Sequence, residues 1–196
     1  MKKIILFIAL AVSTAAIAQK PTKGSFAGLQ GVTEYNLVFD YENVKVDKFK
    51  TEEEFLKDKM SKREEKGTAE DFKATWFGDR EAKYEPKFIE CFNNAMKKKG
   101  VTLQKDLATA KYTMHVKTTW IYPGYNVGKF DQPAKLKVVI SIFASSDPST
   151  IIVSVPYEKV ESTDMFGVEF NSGSRIASAY CALAKQHAKA LSKGTK

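Results

Sequence analysis

The sequence predicts an α+β fold: a two-layer, mostly antiparallel sheet of four to five strands, with helices packed on one face and an outer charged helix. Three observations predict it. Apolar and aromatic residues alternate with polar ones around 35–41, 112–122, 136–144 and 151–157, the period of a strand with one buried face. Between and after these runs lie stretches of helical period bracketed by capping residues. The order is strand, helices, strands, helix, without an internal repeat, which is the arrangement of a sheet backed by helices.

The amino terminus comes first. Met1-Lys2-Lys3 is positively charged, residues 4–16 carry no charged side chain, and Ala16-Ile17-Ala18 places small residues at the −3 and −1 positions before Gln19. That is the three-part layout of a cleavable secretory signal over residues 1–18. The apolar run is about 15 residues, short of the roughly 20 a spanning helix needs. No cysteine stands near the cleavage point to carry a lipid anchor, and no later segment is long and apolar enough to span a bilayer. The expected product is periplasmic or secreted.

Residues 19–32 are rich in turn formers and read as a flexible lead-in to a single α+β domain over 33–196. The first strand holds Tyr35, Leu37, Phe39 and Tyr41. Thr51-Glu52-Glu53-Glu54 is a capping box: the Thr51 hydroxyl accepts the Glu54 N–H, and the Glu54 carboxylate returns to the Thr51 N–H. The helix behind it buries only Phe55, Leu56 and Met60, so it belongs outside, and Gly67 closes it. A short helix from Thr68 carries Phe72, Trp76 and Phe77 until Gly78 interrupts. A third helix runs from about Asp79 to Lys99, with a kink or restart at Pro86 and a core stripe of Phe88, Phe92 and Met96.

Val101-Thr102-Leu103 reads as a short strand. In the next, Tyr112, Met114, Val116, Thr118, Trp120 and Tyr122 face the core, while Thr113, His115, Lys117 and Thr119 face water. An 11-residue loop leads to Leu136, Val138, Ile140, Ile142 and Ala144. After the turn at Ser146-Asp147-Pro148-Ser149 come Ile151, Val153, Val155 and Tyr157, with Pro156 marking an edge. Asn171 to Ser174 cap a last helix with the stripe Ile176, Tyr180, Leu183, His187 and Leu191.

Charge and chemistry narrow the function. The net charge of +8 is spread through mixed-charge helices, the pattern of a solvated surface rather than a nucleic-acid site. Outside the cytoplasm the polyanions on offer are lipid head groups, lipopolysaccharide and acidic glycans, so weak anionic-surface association is one alternative. The two cysteines, Cys91 and Cys181, suit either one disulfide in an oxidising compartment or two packed thiols; both lie in helices, which favours packed thiols.

His115 and His187 are the only histidines. One reads as a surface residue and the other as a boundary residue on the opposite side of the sheet, so no metal site is expected. There is no G-x-S-x-G elbow to support a Ser-His-Asp set. Asp40, Glu42 and Asp47 offer carboxylates, but at a strand edge, where acids are usually solvated. No cofactor motif is present. A small hydrolase with an unrecognised site is therefore the second alternative, behind a non-catalytic binding protein for an envelope protein or glycan. The candidate binding residues are Trp120, Tyr122, Tyr125 and Phe130 around the Pro123-Gly124 turn and the Gly128-Lys129 tip, with His115 and Lys117 on the wet face.

The segments Trp76-Phe77-Gly78-Asp79-Arg80, Tyr84-Glu85-Pro86-Lys87-Phe88, Ala110-Lys111-Tyr112 and Pro123-Gly124-Tyr125-Asn126-Val127-Gly128 resemble an uncharacterised family of exported proteins from Bacteroidetes-type bacteria. The resemblance covers roughly 33–193, rests on structural signatures, and carries no catalytic residue over to this chain. The element order is also loosely similar to envelope auxiliary proteins and to the amino-terminal domain of the translocation protein TolB, a likeness of fold order alone.

Overall fold

The computed structural model describes residues 20–127, 130–162 and 171–196. The expected signal segment lies outside these. The elements are β1 (Lys23–Gly24), β2 (Glu34–Asp40), β3 (Lys45–Val46), α1 (Glu52–Ser61), α2 (Ala69–Asp79), α3 (Glu85–Met96), β4 (Thr102–Lys105), β5 (Tyr112–Tyr122), β6 (Tyr125–Val127), β7 (Phe130–Gln132), β8 (Lys135–Ala144), β9 (Asp147–Glu161) and α4 (Ser172–Gly194). Among the described residues no helix is long and apolar enough to cross a membrane.

The sheet has seven strands, in the order β1-β9-β8-β5-β2-β4 with β3 also beside β5. The expected four to five is thus too few, and the sheet is mixed. β2 runs parallel to both β4 and β5, and β3 runs parallel to β5, while β5, β8, β9 and β1 pair antiparallel. The parallel half follows from the helices: a chain that leaves β2 through α1, α2 and α3 returns to β4 in the same direction. The strands missed in sequence are β1 and β3, each two residues long and too short to show a period.

Within the expected lead-in over residues 19–32, the stretch Thr22 to Leu29 is tied to the domain. Thr22 to Ser25 bond along β9, and Phe26 and Leu29 are buried. Pro156 sits in β9 opposite Val139. The carbonyls of Ile152 and Ser154 face β1, so Pro156, in phase with them, points its missing N–H past the end of that short strand, where no donor is needed.

Two helices cover one face. Leu37, Met114, Val116, Ile140, Ile142, Val153, Val155 and Tyr157 from the sheet meet Phe88, Phe92, Ile176, Tyr180 and Leu183 from α3 and α4, all nearly or fully buried. Phe39 adds edge-to-face contacts to Phe88 and Tyr180. Each such side chain stabilises by roughly 1.5–3 kcal/mol on burial. Within this layer Thr118 Oγ1 and Tyr180 Oη lie 2.6 Å apart, while Tyr84 Oη and His187 Nε2 are buried without a hydrogen-bond partner among the described residues.

Cys91 of α3 and Cys181 of α4 form a disulfide, with Cα atoms 5.3 Å apart. The reading as two packed thiols is corrected: two helices packed side by side on the sheet bring the cysteines within bridging distance. Closing a loop of 90 residues contributes about 4.6 kcal/mol in the chain-entropy picture.

Gly78 does not interrupt α2. The helix continues through it and passes into a π-helical turn at Arg80–Tyr84 before α3. Pro86 stands at the start of α3 directly after the π turn, in which the Glu85 N–H bonds the Arg80 carbonyl five residues back, so the wider turn accommodates a residue that cannot donate. At α1, Thr51 caps Glu54 at 3.1 Å, but the Glu54 carboxylate returns to the N–H of Lys50 at 3.0 Å, one residue earlier than expected.

His187 is fully buried rather than at a boundary. Its Nδ1 meets Tyr157 Oη at 2.8 Å, and Phe26, Phe92 and Tyr157 surround the ring. Burial pushes its pKa from 6.5 down to about 3. Below pH 6.5 the unfolded chain takes up a proton at His187 that the folded chain refuses, so this residue makes stability fall as pH drops from 6.5 towards 3. Urea melts should show a loss on the order of 2 kcal/mol between about pH 6.5 and pH 5. His187→Gln should flatten that slope; an equal slope in the variant would assign the effect elsewhere.

Candidate functional site

The site begins with an irregularity in β5. Thr118 pairs with Val138, and Trp120 pairs with the adjacent Lys137, so Thr119 is an extra residue and the register shifts there. One inserted residue reverses which side chains face which way. Before the bulge Met114, Val116 and Thr118 face the helices; after it Ile121 does. Trp120 and Tyr122, expected to close the core, instead join the wet face with His115 and Lys117.

That face lies opposite the α3–α4 layer. Across its middle run Val38, His115, Ser141 and Ser154, then Asp40, Lys117, Val139 and Pro156. Val38 is 41% exposed. Lys117 Nζ bonds Asp40 at 2.7 Å, and His115 Nε2 approaches the same carboxylate oxygen at 3.5 Å. Burial works to raise Asp40, but the Lys117 ammonium and the Glu42 N–H outweigh it and hold the carboxyl below its ordinary range. For His115 burial dominates and lowers the pKa, with Lys117 adding to it and Asp40 opposing.

An imidazole beside a carboxylate is two parts of a hydrolytic set, and the hydroxyls on this face pair with one another. Ser141 Oγ bonds Ser154 Oγ at 3.0 Å, and Thr113 Oγ1 bonds Ser145 Oγ at 2.9 Å. Cys91 and Cys181 are joined and offer no thiolate. His115 and His187 lie on opposite sides of the sheet, and the described residues hold no cluster of three or more His, Cys, Asp or Glu suited to a metal. Of the three acids singled out in sequence, Asp40 is engaged with Lys117, and Asp47 serves through its carbonyl, which accepts Trp120 Nε1–H at 2.8 Å.

The aromatic end of the face is better built. The rings of Trp120 and Tyr122 are nearly parallel, 9° apart, with centroids 6.2 Å apart. Lys135 Nζ stands 5.7 Å from the Tyr122 ring centroid. A groove of about 400 Å³ runs beside them, lined by Trp120, Tyr122, Lys135, Lys137, Glu158 and Lys159. Lys45, opposite Trp120 on β3, adds another cation. None of these lysines was singled out in sequence.

On its other side Tyr122 faces a larger cleft of about 870 Å³, shared with Tyr125, Arg63, Phe72, Trp76 and the first turn of α4. Burial raises the Tyr122 phenol, with Tyr125 and Asp47 reinforcing it. The turn between is fixed from both ends. Gly124 has φ +67°, and a β-carbon there would strike the Gln132 carbonyl and sit 2.9 Å from Ala134 N. Arg175 Nε and Nη2 donate to the carbonyls of Pro123 and Gly124 at 3.1 and 3.2 Å. The first turn of α4 also receives the Asp79 carboxylate. A side chain at Gly173 would overlap it, and Lys83 pairs with Asp79 at 2.8 Å. The anion-favouring end of α4 is thus served by a carboxylate of the chain itself.

The expected 11-residue loop contains a hairpin, β6–β7, pairing Tyr125 with Gln132 and Val127 with Phe130. Tyr125 is 43% and Val127 66% exposed. The Gly128-Lys129 tip lies outside the described residues. Trp120, Tyr122 and Tyr125 are therefore brought together around one turn, while His115 and Lys117 lie further along the same face.

No protein-family model, curated protein or solved structure matches the chain.

Gly124→Ala should strain the turn by about 1–3 kcal/mol. Hydrogen exchange over residues 125–132 should speed up while the β8–β9 ladder stays protected. Unchanged exchange at Tyr125 would show that the turn does not depend on this glycine.

Proposed function

We propose that this chain is an exported, periplasmic or secreted, non-catalytic protein that binds an envelope glycan or protein at the aromatic end of its wet sheet face. The observation that carries the reading is the bulge at Thr119, which takes Trp120 and Tyr122 off the core. Placing two large aromatic rings on the solvent side forgoes the burial energy they would have had inside. A rigid aromatic pair beside a tethered turn is the kind of surface that gains by binding.

Export is supported by two independent features. Residues 1–18 have the composition of a secretory leader, and a disulfide between core helices persists only where the compartment is oxidising. The hydroxyls paired with one another on the sheet face argue against a hydrolase.

Wild-type protein and the variants Trp120→Ala and Tyr125→Ala, crosslinked in the native envelope and captured, would test the reading. Loss of the same partner from both variants is expected. A partner set identical in all three would remove this end of the sheet from consideration.

A further inference from the structure

We infer that the ligand of the groove beside Trp120 and Tyr122 is an acidic saccharide, its ring lying against the aromatic pair and its anionic group held by Lys135, Lys137 and Lys159. The inference rests on the binding reading above and adds the chemistry of the ligand.

The groove lining sorts into two kinds of surface. Trp120 spends its only donor on the Asp47 carbonyl, so what it offers a ligand is the apolar body of the indole. That surface suits the C–H face of a sugar ring. The remaining lining is three lysines and Glu158. Lysines supply donors alone, so the groove has many donors for one carboxylate acceptor. A neutral sugar presents hydroxyls that both donate and accept, and it would leave the excess positive charge of the groove uncompensated. A saccharide with a carboxylate or phosphate answers them.

The lysines are already held in place. Lys137 meets Glu158 at 2.9 Å, and Lys135 and Lys159 both face Glu161, at 3.4 and 3.7 Å. Those carboxylates are 65% and 44% exposed, so the pairs are weak and readily exchanged for a ligand anion. Two glutamates against three lysines, with Lys45 adjoining, leave the groove positive before any ligand arrives. The pair register explains the clustering: Tyr122 opposes Lys135, Trp120 opposes Lys137, and Lys135 opposes Glu161. The left-handed Lys159, φ +54°, falls where β8 and β9 shift register between Leu136 and Val138. The groove is thus built from two bulges on neighbouring strand pairs. Its volume, about 400 Å³, is at the lower end of small-molecule sites and suits one or two sugar rings.

Calorimetry on the full chain after leader removal would use trigalacturonic acid, its methyl ester, and a phosphatidylglycerol vesicle, each at low and physiological salt. The acid should bind at least about tenfold more tightly than the ester, with affinity falling as salt rises. Lys137→Gln should reduce that preference, and Trp120→Ala should weaken both forms. Equal binding of acid and ester would overturn the acidic-ligand inference and leave the binding reading intact. Tighter binding of the vesicle than of the acid would overturn it in favour of a membrane surface. Binding of none of the three would overturn it as well, and the envelope capture of Trp120→Ala would then decide separately whether the face binds anything.

Discussion

The bulge at Thr119 is the constraint from which the candidate site follows. On one side of it, the phase of β5 is set by Met114, Val116 and Thr118, buried against α3 and α4 with the Thr118 hydroxyl bonded to Tyr180. On the other, it is set by Ile121, buried with Val46 of β3 and Leu136 of β8. The two phases differ by one residue. A strand of strict period two cannot satisfy both, so one residue is left unpaired and the strand twists. Burial of Ile121 and turning out of Trp120 and Tyr122 are the same event.

The helical layer makes the sheet rigid enough for that to matter. α3 and α4 are packed side by side and joined by the Cys91–Cys181 bridge, with α4 seated on β8 and β9 and α3 against β4. Arg80, in the π turn before α3, reaches Glu52 of α1 at 2.5 Å, where Trp76 Nε1 also donates at 2.7 Å, and stacks over Tyr41 at the end of β2. The charged outer helices are thereby tied to the sheet. Arg175 and Gly124 pin the turn that follows the aromatic pair. Side chains carried on strands and held at both ends can present a fixed surface, which limits the entropy lost on binding.

Much of the fold was legible because long elements leave long signals. The strands around Leu37, Val116, Ile140 and Val155 and the stripes at Phe88–Phe92 and Ile176–Leu191 carry their period over several residues. Short elements left none: β1 and β3 have two residues each, and the β6–β7 hairpin reads as loop. The aromatic end reads as a candidate in the sequence, but its facing does not, since Trp120 and Tyr122 continue the alternation of Thr118 without a break. The available signal was Ile121, an apolar residue in a nominally wet position. The lysines beside the pair come from three strands and needed the register to bring them together. His187 and the disulfide depend on packing between distant segments, which no local pattern encodes.

The facing of Trp120 is the claim on which the account stands, and the chain has only one other tryptophan, Trp76, which is 4% exposed. Acrylamide quenching of Trp76→Phe, where Trp120 alone fluoresces, tests it most directly. The account predicts efficient quenching, as for an indole on the solvent side. Emission shielded to the level of the buried Trp76 in Trp120→Phe would place the ring in the core and contradict it.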